Sequence, residues 1–382
     1  VIETVRYNYR IRPGVVAARE LIAESHRCRF VWNEAVHQDK SWLKPTFSKL
    51  SKLLTAARRR NSWLREGSQV AQQQTLRTYA RALDESFKIP GRRRPKFKSR
   101  KTSHLSLEYT RRGFRLRDGR LCLPKGLSVP VVWSRELPSQ PTSVRIFQDS
   151  LGAWYASFVV QRESEPLPTV SDAIGIDWGI RTTATTTDSA HDLPYRGYRK
   201  RCAAELARAQ RRMTRRHRHG AVPSRGYRRA KHEVARLRKK AARQSSHDAR
   251  VWAKRVVVAH QIIAVEDFRP GFLAKSSMAR KAADAAIGQT KRELIVRAVR
   301  AGRTVVLVQP AHTTVTCSRC FARTKQHLDL GTRTFLCTEC SHTECRDRNA
   351  ARVILAVAER GHTCVDDVRH LQPSSAAVVG AV

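Results

Sequence analysis

Four cysteines in two close doublets constrain this chain more than any other feature. Cys317 and Cys320 form one Cys-x-x-Cys pair, Cys337 and Cys340 form a second, and sixteen residues separate them. Two doublets at this distance can place four thiolates at the corners of a tetrahedron, which fills the coordination shell of Zn and makes a closed, structural site. Chance pairing and a redox role are the competing readings, although a thioredoxin-like site needs only one doublet. The remaining cysteines, Cys28, Cys122, Cys202, Cys345 and Cys364, read as buried and inert, with Cys345 near enough in sequence to be a spare ligand.

Three acids make a second constellation. The apolar runs Ala173-Ile174-Gly175-Ile176, Ile262-Ile263-Ala264-Val265 and Thr304-Val305-Val306-Leu307-Val308 read as buried strands separated by long helical stretches, an α/β pattern. Asp177 closes the first run and Glu266 the second. Carboxylates at the ends of buried strands are costly unless a cation stabilises them. Asp347 follows the second doublet and opens a helix, Asn349-Ala350-Ala351-Arg352-Val353-Ile354-Leu355. Singly, each acid has an ordinary explanation: Asp177 as a turn former, Glu266 as an arginine partner, Asp347 as a helix N-cap. Together they fit a carboxylate cluster holding two Mg ions, which clamp the attacking water and the leaving oxygen of a phosphodiester about 3.5–4 Å apart. Asp267 could replace Glu266, because a fully buried strand does not reveal which side chain faces the site.

Charge identifies the partner class. The 382 residues carry 74 Lys+Arg against 32 Asp+Glu, a formal net charge of +42, which calls for a polyanion and excludes an ordinary small-molecule enzyme surface. No apolar stretch is long enough to span a bilayer and no export signal opens the sequence, so the expectation is an intracellular nucleic-acid binder without a membrane partner. With 41% hydrophobic residues and 7 Trp, most of the chain should fold, into two or three cores. Residues 199–243 hold 18 Lys/Arg against two Glu and are broken by Gly220, Pro223 and Gly226, which predicts a basic helical hairpin. A second basic run, Arg92-Arg93-Arg94-Pro95-Lys96-Phe97-Lys98-Ser99-Arg100-Lys101, reads as a phosphate-binding loop. From these two segments Arg92, Arg93, Arg94, Lys96, Lys98, Arg211, Arg212, Arg215 and Arg216 are the candidate phosphate contacts.

The rest of the organisation follows from periodicity. Val5, Tyr7, Tyr9 and Ile11 alternate with polar residues and predict a strand stopped by Pro13-Gly14. Residues 16–88 turn to helical spacing, a small helical lobe. Short alternating runs between residues 105 and 160 predict a compact antiparallel sheet or barrel that includes the first strand. Pro166-Leu167-Pro168 reads as a linker.

Several of these motifs, taken in order, resemble one family. Ile174-Gly175-Ile176-Asp177, Val265-Glu266-Asp267-Phe268 and Asp347-Arg348-Asn349-Ala350-Ala351 resemble the three split RuvC motifs of the OrfB/TnpB family, the transposon-encoded RNA-guided DNA endonucleases related to type V CRISPR effectors. The cysteine doublets between motifs two and three, the opening strand with Cys28-Arg29-Phe30-Val31-Trp32-Asn33 after it, and Arg94-Pro95-Lys96-Phe97 extend the resemblance over nearly the whole chain. It departs from the family where Phe321 and Ser341 follow the doublets in place of glycine, and where Trp178 replaces a smaller aliphatic residue.

The resemblance implies a multidomain α+β and α/β chain. A wedge-type β-barrel (residues 1–18 and 90–165) would be interrupted by a helical recognition lobe (19–89). An RNase H-like RuvC nuclease (172–312 and 342–370) would carry an inserted zinc-ribbon-type module (313–341), and a tail (371–382) would lack order. It implies a catalytic triad of Asp177, Glu266 and Asp347 with Mg, structural Zn on the four cysteines, a guide RNA, a double-stranded DNA target and one protein copy per RNA. It also implies action in the cytoplasm of a bacterium or archaeon, at the nucleoid. A minimal type V CRISPR effector, an RNA-guided binder that does not cut, and a transposase acting without RNA remain alternatives at this stage.

Overall fold

The opening period-two stretch forms the central strand of an antiparallel sheet. In the computed structural model, which describes residues 2–40, 45–100, 103–163, 166–268, 271, 276–323, 331–360 and 369–371, the chain divides into two compact units, Val1–Glu163 and Ser164–Val382. The first unit contains β1 (Ile2–Ile11), helices α1 (Val15–Lys40), α2 (Phe47–Arg60), α3 (Ser62–Arg65) and α4 (Gln69–Lys88). Strands β2 (Ser106–Thr110), β3 (Arg115–Arg117), β4 (Arg120–Leu123), β5 (Leu127–Val132), β6 (Ser143–Gln148) and β7 (Trp154–Glu163) follow.

The seven strands are ordered β2-β6-β7-β1-β5-β4-β3. β1 pairs along most of its length with β7 and passes its last two residues to β5, so one long strand joins the two halves. The sheet keeps two edges, β2 and β3; in place of the closed barrel there is an open half-barrel. Val5, Tyr9, Ile11, Leu121, Val144, Ile146 and Phe158 are buried on its inner face, where Leu21 and Cys28 of α1 and Ala71 of α4 cover them. The far ends of α1 and α4 pack with α2 and α3 around Val31, Trp32, Leu54, Leu76 and Tyr79, which gives the helical lobe its own core.

The second unit begins with a segment read from sequence as a linker, and the structure corrects this. Leu167 N–H donates to Ala301 O at 3.1 Å and the buried Arg303 donates to Pro168 O at 2.8 Å, so the prolines lie fixed against the unit's own fold. Its elements are β8 (Ala173–Trp178), β9 (Thr182–Thr186), β10 (Leu193–Pro194), α5 (Tyr198–Arg201), α6 (Ala203–Arg215), α7 (Arg225–Ala259) and β11 (Ile262–Glu266). They continue with α8 (Ala279–Ala285), α9 (Ile287–Arg300), β12 (Thr304–Val308), β13 (Thr334–Leu336), β14 (Thr343–Cys345), α10 (Arg346–Arg360) and β15 (Arg369–Leu371).

Six strands form a mixed sheet, β10-β9-β8-β11-β12-β15, in which β8, β11 and β12 run parallel and the flanking strands antiparallel. The three apolar runs are its centre, buried on both faces as their uninterrupted hydrophobicity requires. Ile174, Ile176, Ile263, Val265 and Val305 face α7 and α9. Ala264, Val306 and Val308 face Val353, Ile354 and Val357 of α10. The basic hairpin also forms: α6 and the 35-residue α7 pack through Leu206, Ala209, Met213, Val234 and Leu237. Ser224 caps α7, its hydroxyl accepting from Tyr227 N–H at 3.1 Å. Leu371, assigned from sequence to the tail, ends the edge strand β15, and residues 372–382 lie outside the described residues.

Candidate metal centres and nucleic-acid surface

Strand parity decides which acids meet. Side chains alternate faces along a strand, so Ile174, Ile176 and Trp178 point towards α7 and α9, and Gly175 and Asp177 point towards α10. Ala264 lies beside Gly175 in the parallel register of β8 and β11, and two residues further on Glu266 shares a face with Asp177. Asp267 lies past the end of β11, ion-paired with Lys291 Nζ at 2.6 Å, and the register puts Glu266 on the Asp177 face.

The third acid arrives by close packing. A Cβ at Gly175 would lie 2.0 Å from Ala351 O, so only glycine lets the α10 backbone rest directly on β8. Asp347 occupies the first turn of that helix. Arg348 fixes the turn to the sheet, donating to Thr186 O at 2.7 Å and pairing with Asp192 at 2.8 Å.

The three acids are electrostatically coupled. Burial holds the Asp177 carboxyl well above the usual carboxylate range, and the charges of Glu266 and Asp347 raise it further. Glu266 is pushed up to about 7, mainly by burial, with the Trp178 N–H and Lys291 opposing. Its Oε2 is buried without a hydrogen-bond partner. An orphaned carboxylate oxygen next to Asp177 is a hard donor of the kind that suits divalent cations such as Mg.

The cysteine cluster is more tightly gathered. Among the described residues, the four Sγ atoms are the only group of three or more metal-ligating side chains lying within 4.8 Å of one another. Cys317 and Cys340 sulfurs are 3.7 Å apart, and those of Cys320 and Cys337 3.5 Å. Four bonds of about 2.3 Å to a tetrahedral Zn ion require S···S edges of about 3.8 Å, so the geometry fits. The two turns are copies of each other: Phe321 N–H donates to Cys317 O at 3.0 Å and Ser341 N–H to Cys337 O at 3.1 Å. Phe321 (φ 61°) and Ser341 (φ 54°) both stand in the left-handed region, which is the physical reason for glycine there in the family the sequence resembles. Of the other described cysteines, only Cys28 is buried, its thiol pushed up to about 12 by burial. Against the sequence reading, Cys122 is half-buried on the face of β4 opposite the buried Leu121 and Leu123, Cys202 is half-buried at the start of α6, and Cys345 is exposed on β14; Cys364 lies outside the described residues.

The candidate phosphate contacts divide. Arg211, Arg212, Arg215 and Arg216 are exposed on the outer face of α6 and just beyond its end. In the first unit, Trp32 Nε1 donates to Lys96 O at 2.9 Å, and Asn33 exchanges hydrogen bonds with both backbone groups of Lys98. The basic loop is thereby held extended along α1. Arg93 and Lys96 are exposed, whereas Arg92 pairs with Glu85 and Arg94 lies near Asp39 and over Phe87. Lys98 turns inward, its Nζ 3.3 Å from the Trp32 ring centroid, and burial lowers it to about 8. Sequence reasoning missed Lys291, and it quoted Arg348 and Asn349 in the third motif without giving either a role.

Comparison with known proteins places these sites in a family context. A family model described as "Probable transposase" (OrfB_IS605) matches residues 157–277, which carry Asp177 and Glu266, and one described as "Cas12f1-like, TNB domain" matches residues 288–354, which carry the four cysteines and Asp347. A Streptomyces pristinaespiralis protein named "Putative RNA-guided DNA endonuclease" is 30% identical over 381 residues, spanning 97% of this chain and 93% of its own. The Escherichia coli K12 protein named "Putative RNA-guided DNA endonuclease InsQ" is 26% identical, spanning 96% and 95%. A Cas12f1-sgRNA-target DNA complex overlays with a TM-score of 0.48 at 13% identity, covering 93% of this chain and 98% of that one. On the near-complete match to the Streptomyces protein, the chain belongs to the OrfB/TnpB family of RNA-guided DNA endonucleases.

Proposed function

We propose that this protein is an RNA-guided DNA endonuclease whose Asp177, Glu266 and Asp347 hold two Mg ions, and whose Cys317, Cys320, Cys337 and Cys340 hold a structural Zn. The observation that carries this reading is the state of Asp177, a buried carboxylate pressed by two acids that come from distant segments. Metal ions held there would supply Lewis acidity to the phosphodiester and activate water at neutral pH.

The chain's own residues do the remaining work. β8 and β11 present Asp177 and Glu266 from a rigid sheet, and α10 brings Asp347 to them across Gly175. The mixed sheet with α10 on one face and α7 and α9 on the other supports an RNase H-like assignment for residues 172–312 and 342–370, with residues 313–341 as the zinc module. Residues 1–18 and 90–165 serve as the wedge domain and 19–89 as the recognition lobe. The exposed arginines of α6 and the basic loop bind phosphates, base pairing to a guide RNA selects the target, and the protein reads a short flanking DNA motif. One copy acts per guide RNA, at the nucleoid of a bacterial cell.

The test is to sequence the RNA that co-purifies with the protein and to present DNA matching its guide segment, with a randomised flank, in Mg. The expected result is a discrete RNA and Mg-dependent cutting that chelation abolishes. Protein recovered free of any discrete RNA, yet still transferring DNA strands, would reject the proposal.

A further inference from the structure

Asparagine is a poor helix former because its amide competes for backbone groups, yet Asn349 is fully buried in the first turns of α10. Both halves of its amide are engaged outside the helix. Nδ2 donates to Thr316 O at 2.8 Å, and Oδ1 accepts from Ser318 N–H at 2.9 Å. The opposite amide orientation would set donor against donor and acceptor against acceptor. Thr316 and Ser318 flank Cys317, so Asn349 grips the first cysteine turn on both sides of its buried ligand.

A second link runs through the β13–β14 ribbon. β14 ends at Cys345 and α10 starts at Arg346 with no residue between them. Arg346 N–H donates to Arg333 O at 2.8 Å, and Arg333 Nη1 lies 3.7 Å from Asp347 Oδ1. The turn that carries Asp347 is thus fastened to the cysteine module at one side through Asn349 and at the other through Arg333. Arg348 and Gly175 fasten it to the sheet.

We propose that Asn349 is a positioning residue that transmits the geometry of the cysteine module to Asp347, making divalent-metal affinity at the carboxylates depend on the first cysteine turn. The proposal rests on the nuclease reading above. A side chain that served stability alone would lower the melting temperature when removed and leave the metal affinity of the folded protein unchanged. A positioning side chain shifts that affinity while the module stays folded.

The experiment is a Mn titration followed by electron paramagnetic resonance, on the full-length chain freed of nucleic acid by high salt, with Zn content measured on the same samples. Wild type is compared with Asn349→Ala, with the similarly shaped Asn349→Leu, and with Asp177→Ala. The expected result is wild-type Zn content in both Asn349 variants and Mn binding weakened about tenfold, a shift of about 1.4 kcal/mol. In guide-RNA complexes of the same variants, cleavage should need correspondingly more Mn and recover as Mn is raised. A Mn midpoint within about twofold of wild type in an Asn349 variant that retains its Zn would overturn the proposal. Asp177→Ala reports on the nuclease reading separately: loss of the tight Mn site supports that reading, and unchanged Mn binding would remove it together with the proposal.

Discussion

In the cysteine cluster the ligands come in pairs from two short turns, whereas in the carboxylate cluster each ligand comes from a different part of the second unit. Each turn builds half of the thiol site with its own backbone hydrogen bonds, the β13–β14 pairing closes the hairpin around the second, and Asn349 holds the first. Asp177, Glu266 and Asp347 need a parallel register, a helix packed onto a glycine and an arginine tether. Protonated thiols approach one another at little electrostatic cost, but ionised carboxylates repel, and burial adds to that cost. The rest of the fold therefore holds Asp177 near the other two acids against burial and their charge, as its raised carboxyl records, while Glu266 is raised mainly by burial.

The contrast predicts opposite consequences of losing a ligand. Asp177→Ala should reduce cleavage by at least about a thousandfold, about 4 kcal/mol in the barrier, while RNA and DNA binding remain intact in gel-shift assays; unchanged cleavage would reject the triad. Cys317→Ser should instead act on stability, releasing Zn and lowering the melting temperature, because metal binding contributes folding energy. Metal analysis of the purified variant and wild type checks it.

Smaller effects sharpen the comparison. Gly175→Ala should cost about 1–3 kcal/mol of stability, since the new Cβ forces α10 off β8. It should also weaken cleavage by moving Asp347, measured by thermal melting alongside a cleavage assay. For the protein without divalent metal, the sign of the pH dependence follows from the raised carboxyls. The folded state holds these protons more tightly than the unfolded chain, so their stabilising contribution is complete below the ordinary glutamate value and is lost as pH rises through about 7. Glu266→Gln should flatten this slope in thermal melts, and so should saturating Mg in wild type. The smallest effect belongs to the cysteine turns: Ser341→Gly relieves a left-handed serine and should raise stability by about 1 kcal/mol.

How much was legible in the sequence follows the same division. The doublets, the apolar strands and the order of the acids were readable because local spacing fixes them. That Glu266 shares the Asp177 face became readable only once β11 was set in register with β8, although small residues at Gly175 and Ala264 mark the face that α10 covers. The inward turn of Lys98 was not legible, because a basic run looks alike whether its lysine meets phosphate or the Trp32 ring. The open edges β2 and β3 were equally hidden, since period-two patterns specify strands and faces but not closure.

The most direct test of the central claim is the position of Mn in crystals of this protein, read from anomalous scattering. The account predicts two peaks about 3.5–4 Å apart, coordinated by Asp177, Glu266 and Asp347 and absent in Asp177→Ala. Mn bound elsewhere, with these three carboxylates making no metal contact in crystals grown at saturating Mn, would contradict it.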